Sequence, residues 1–174
     1  GFLCVLFSNK KHWEIGLLSS ILTFVESLRL WMIFDSSSSE FQFCTKLYWL
    51  GDYGIFLGID GISLFFVVLS CLLIPVCILC SWDSIKLLEK EYVLCFLAIL
   101  IILIGVFSIL DLLGFYILFE AVLIPMFLII GVWGARELKI TASYYFFFYT
   151  LVGSVLMLLS IFYIYSLTGS TDYL

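Results

Sequence analysis

The sequence predicts an all-α polytopic membrane protein, with about five full transmembrane helices after a short N-terminal helix. Three observations carry this. The 174-residue chain is 64% hydrophobic and only 12% charged, where soluble domains average about 45–50% and about 25%. Its mean hydropathy of +1.24 leaves little material for a wetted surface. The apolar residues fall in stretches long enough to cross about 30 Å of hydrocarbon as helices, with basic residues gathered in every second connection. The net charge of -5 argues against nucleic acid as a partner, because phosphate contacts need basic patches. Membrane lipids are the expected surroundings.

The whole chain, 1–174, reads as one membrane domain without an internal repeat. Gly1–Ser8 is apolar but reaches only about 12 Å as a helix, so it reads as the end of a cut-off first helix. It lacks the charged n-region and small-residue cleavage site of a signal peptide. "NKKHWE" follows as a polar connection, and His12 in it reads as a solvated loop residue. The second segment is Ile15–Phe34. It holds Glu26 and Arg29, spaced to pair on one helix face, with Arg29 close enough to the end to snorkel. The two read as a self-neutralising structural pair. Asp35–Gly54 contains "SSSS" and scattered aromatics, and reads as a lumenal-type loop with Trp49 and Tyr53 at the interface.

The third segment is Ile55–Ser81. Asp60 and Ser63 in "GIDGISLFFVVL" resemble a helix cap. Pro75 leaves the Cys71 carbonyl without its helical partner and predicts a kink. Tyr92–Leu110, Leu112–Trp133 and Thr141–Leu167 complete the set. Lys10 and Lys11, Lys86 and Lys90, and Arg136 and Lys139 mark three connections that share the negative side of the membrane, while the opposite connections hold only Lys46. The chain would then start on the positive side.

"LGFYILFEAVLIPMF" carries the one feature that apolar packing does not require. Glu120 lies about 13 Å and about 20 Å along the helix from Asp111 and Trp133, near the middle of the bilayer. A charge there costs roughly 2.5–3.5 kcal/mol on insertion scales, and such residues mark ion or proton pathways. Tyr116, one turn earlier, can bring its hydroxyl to the carboxyl. Pro125 frees the Ala121 carbonyl and makes room for water. A proton relay is one reading of Glu120; a neutral, hydrogen-bonded acid that holds helices together is the other. Asp111 is either a cap suited to the helix dipole or an access acid for protons. No lysine lies within any span, so a charged partner for Glu120 would come from another polypeptide.

Six cysteines are present, and Cys77 and Cys80 form a C-x-x-C inside the apolar "IPVCILCSW". No second pair or nearby histidine completes a metal set, and one histidine cannot supply two axial haem ligands. No metal and no redox cofactor is expected on this chain.

Three stretches resemble a known family. "GIDGISLFFVVLSCLLIPVCIL", "DLLGFYILFEAVLIPMFLIIGVWGARELKITASYYFFFYT" and "LTGSTDYL" look like the subunit 4 family of NADH dehydrogenase, the antiporter-like subunits of respiratory complex I, in a mitochondrial style. The resemblance covers about residues 12–174. It implies a fourteen-helix antiporter-like fold that moves protons, coupled to quinone reduction elsewhere in the complex. It places the family's fifth-helix glutamate at Glu120, facing a lysine on a seventh helix that this sequence does not reach. The implied partners are the remaining C-terminal half of the same subunit, as one chain or a separate one, and the other antiporter-like and membrane-arm subunits. The implied location is the mitochondrial inner membrane. Glu26 and Arg29 match no motif of the family. A structural membrane-arm piece without conduction, or part of a related cation/proton antiporter, are the competing functions.

Overall fold

A computed structural model describes residues 1–7, 11–38, 40–48, 54–169 and 171. The elements are α1 (Phe2–Phe7), α2 (His12–Ile33), β1 (Gln42–Tyr48), β2 (Gly54–Ile59), α3 (Gly61–Ser81), α4 (Glu89–Ser108), α5 (Leu112–Trp133) and α6 (Lys139–Thr168). All but α1 among the helices are long and apolar enough to cross a membrane. The residues Lys10, Trp49, Tyr53 and most of the "STDYL" end lie outside the described residues.

Two expectations are corrected. The third span does not begin at Ile55. Residues Ile55–Ile59 belong to β2, which pairs antiparallel with β1, so the predicted loop contains a hairpin. The helix starts after Asp60, whose carboxylate accepts from the Gly61 N–H at 2.7 Å while Ser63 Oγ accepts from the Asp60 N–H at 2.8 Å. That reciprocal cap satisfies N–H groups a helix start leaves free, and it stops the strand where the sequence shows only continuous hydropathy. His12 is not in a loop either. It opens α2, with a buried Nδ1 that lacks a hydrogen-bond partner among the described residues.

The core lies between α2, α3 and α4, with Val67, Cys71, Ile74, Ile78, Val93, Leu97 and Leu100 buried at its centre. α2 approaches α4 through Gly16, where an added Cβ would run into Val93 Cγ1. α5 packs on α4, and α6 packs on α5. Pro75 and Pro125 sit inside α3 and α5 and are both buried.

The two ends of the bundle differ. At one end Trp13 donates to Glu89 at 2.9 Å, Trp133 donates to the Leu87 carbonyl at 2.7 Å, and Ser81 bonds the Tyr92 hydroxyl at 2.7 Å. These bonds tie the start of α2, the α3–α4 connection and the end of α5 together, so the basic connections share one side as their charge pattern predicts. At the other end the Leu110 N–H donates to the Phe56 carbonyl at 2.9 Å, which holds the hairpin against the α4–α5 turn. Lys46, the basic residue of that side, lies 4.6 Å over the Phe56 ring.

Candidate functional site

α5 forms because an unbroken apolar run follows a good cap. Asp111 precedes it in extended conformation and accepts the Gly114 N–H at 2.8 Å through Oδ2. The second oxygen, Oδ1, is buried without a hydrogen-bond partner among the described residues. The flanking backbone is held on both sides: Leu112 N–H donates to the Thr171 carbonyl at 3.0 Å and Leu110 to Phe56. Asp111 thus caps the helix with one oxygen and has the other to spare.

Glu120 follows about 13 Å along the axis. Its side chain is partly covered, and Oε2 is buried with no hydrogen-bond partner among the described residues, the Tyr116 hydroxyl included. Tyr116 is on the same face one turn away and partly buried. An unsatisfied buried acceptor costs roughly 1–3 kcal/mol, and more when charged, so an orphan oxygen on the span's sole acid is a feature that packing alone does not favour. Pro125 lies one turn and a residue beyond, and the Ala121 carbonyl beside Glu120 loses its helical donor to the proline ring. α5 therefore presents two under-used oxygens, one from a side chain and one from the backbone, at mid-span.

The remaining charged residues of the spans are elsewhere. Arg29 Nη1 donates to both carboxylate oxygens of Glu26, at 3.0 and 3.1 Å. The pair lies on an outward face of α2, and α2 packs against α1, α3 and α4 rather than α5 or α6. It is self-contained, as its spacing suggests, and is not part of the Glu120 site. Lys139 opens α6 and donates to the Val132 carbonyl at 2.6 Å, where a cation suits the C-terminus of α5. Sequence reasoning left this contact out because it treated Lys139 only as a loop charge.

Residues 109–173, which carry Glu120, match the transmembrane family described as NADH:quinone oxidoreductase/Mrp antiporter. The bundle is thus an antiporter-like membrane domain. Residues 2–110 match the family described as NADH-ubiquinone oxidoreductase chain 4, amino terminus. The chain belongs to the NADH-ubiquinone oxidoreductase chain 4 family. It is 55% identical over 160 residues to the chain 4 protein of Arabidopsis thaliana, covering 91% of this chain and 32% of that one. It is 56% identical over 161 residues to that of the anemone Metridium senile, covering 88% and 33%. The chain spans about a third of the length of these relatives. Among solved structures, a chain of an archaeal respiratory membrane complex, the membrane-bound sulfane sulfur reductase, superposes with a TM-score of 0.77 at 22% identity, covering 99% of this chain and 27% of that chain. At that identity the likeness is one of fold.

Proposed function

We propose that this chain supplies one part of a proton-translocating channel in the membrane arm of NADH:ubiquinone oxidoreductase, and that Glu120 is its relay acid. The observation that carries the reading is the buried Oε2 of Glu120, mid-span and without a hydrogen-bond partner among the described residues. A carboxyl that only held helices together would use both oxygens. One that exchanges protons needs an oxygen open to the incoming donor. Asp111, with its spare Oδ1, is the access acid between Glu120 and the hairpin side. Tyr116 stands one turn earlier on the same face, within reach of the carboxyl should its hydroxyl turn toward it. The Ala121 carbonyl freed by Pro125 gives a hydrogen-bond acceptor next to it, a place for water that can carry a proton along the helix.

The charge that drives release comes from outside this chain. A lysine of the remaining C-terminal part of the subunit supplies it, a reading that the family resemblance supports, and the other antiporter-like subunits continue the arm. The setting is the mitochondrial inner membrane, with the Lys86–Lys90 and Arg136–Lys139 connections toward the matrix. Electrons pass through other subunits, and this chain carries no redox cofactor or metal. Glu120→Gln tests the reading in the assembled complex. Gln keeps the shape and is less costly to bury than a charge, so assembly holds while proton pumping and coupled quinone reduction both fall. Normal pumping in that variant would leave Glu120 a structural residue only.

A further inference from the structure

α5 and α6 run antiparallel, and two contacts fix their register. A Cβ on Gly131 would stand 3.1 Å from Ser143 Oγ, and the ring centroids of Phe127 and Phe147 are 5.7 Å apart. Four residues back along α5 are thus matched by four forward along α6. Seven more in each direction bring Glu120 level with Ser154. Glu120 is eleven residues before Gly131, and Ser154 is eleven after Ser143. Eleven residues are close to three turns at about 3.6 residues each, so both side chains return to the faces that make the Gly131–Ser143 contact.

Burial agrees with the register. Ser143 and Ser154 are 1% and 4% exposed and, with Ile161, are the buried residues of α6, and the helix packed on α6 is α5. Leu118 marks the opposite direction. It meets α4, 3.0 Å from a Cβ built on Gly105, and Glu120 lies two residues on, about 200° around the axis. Glu120 therefore faces α6 and not α4.

We propose that Ser154 positions Glu120 and accompanies its proton, an inference that rests on the relay reading above. The Ser154 hydroxyl donates to the Leu151 carbonyl at 2.9 Å. Its oxygen lone pairs remain free to accept. In this structure the two side chains do not bond each other; a turn of the carboxyl toward α6 lets a neutral Glu120 O–H donate to Ser154 Oγ while the serine keeps its backbone bond. When the proton leaves Glu120, the serine O–H turns from Leu151 to the carboxylate, a charge-assisted bond in place of a neutral one. No covalent bond to carbon changes. One proton departs, and the hydroxyl hydrogen stays on serine throughout. Ser154 is a positioning residue, and two of its rotamers correspond to the two states of the acid.

The experiment uses the whole complex with the full-length subunit and follows the infrared carboxyl C=O band that disappears in Glu120→Gln. Ser154→Ala moves this band to higher wavenumber and slows pumping by about tenfold, the effect of one lost hydrogen bond to a charged group. Ser154→Thr keeps the hydroxyl and restores both. A merely structural serine could alter rate through packing but would leave the band in place. If Glu120→Gln stops pumping while Ser154→Ala leaves band and rate as they were, the serine has no part and the relay reading stands alone. If Glu120→Gln pumps normally, the relay and the role of Ser154 in it fall together.

Discussion

Three acids of the described helices show how far surroundings decide what one functional group does. Asp60 takes part in a complete capping box at the start of α3. Asp60→Ala should cost about 1 kcal/mol of local stability, read as faster amide exchange in the first turn of α3, without changing the pumping rate of assembled complexes. Asp111 caps with Oδ2 and has Oδ1 unpartnered. Asp111→Asn keeps the cap through its amide oxygen but cannot pass a proton, so assembly is expected to hold while pumping slows; unchanged pumping would reduce Asp111 to a cap. Glu120 has no capping duty at all. Glu120→Asp should pump at an intermediate rate, since it keeps an acid but withdraws it by about 1.5 Å, a misplacement large enough to matter to proton transfer. Glu120, the Asp60 cap and the Glu26–Arg29 pair were legible in the sequence because each depends on neighbours within one helical turn. Ser154 was not, because its relation to Glu120 depends on how two helices slide past each other, and no local spacing contains that.

At the level of elements, the helices were legible from length and hydropathy, and the hairpin was not. Ile55–Ile59 is apolar and runs into an apolar helix, and a short apolar run does not distinguish strand from helix. Only the Asp60 cap and the pairing with β1 separate the two. The close approach of α2 to α4 was equally invisible, since Gly16 has no side chain to announce it. It gives a test of packing. Gly16→Leu places a branched side chain where Val93 is fully buried, and overpacking of this kind costs about 1–3 kcal/mol. The expected result is reduced accumulation of the subunit in the membrane, partly restored by Val93→Ala in the same chain. Equal accumulation with and without Val93→Ala would place the contact elsewhere.

Across the whole molecule, the basic connections and the hairpin occupy opposite ends of the bundle, and Glu120 lies between them. In inside-out membrane particles, protease is expected to cut at Lys86–Lys90 or Arg136–Lys139 and to spare the segment 35–54; cutting in that segment alone would reverse the sidedness. α3 and α4 are the most covered of the spans within the chain, while α5 and α6 are open over much of their length. Glu120 thus sits on one of the two least covered helices of the chain, which fits the proposal of a charge partner supplied from the rest of the subunit. The central claim is that Glu120 gains and loses a proton during turnover. Infrared difference spectra of the working complex test it most directly. The account predicts a carboxyl band that changes when quinone reduction begins, shifts in deuterium oxide and is absent from Glu120→Gln. A complex that pumps while showing no Glu120-dependent change in that region would contradict it.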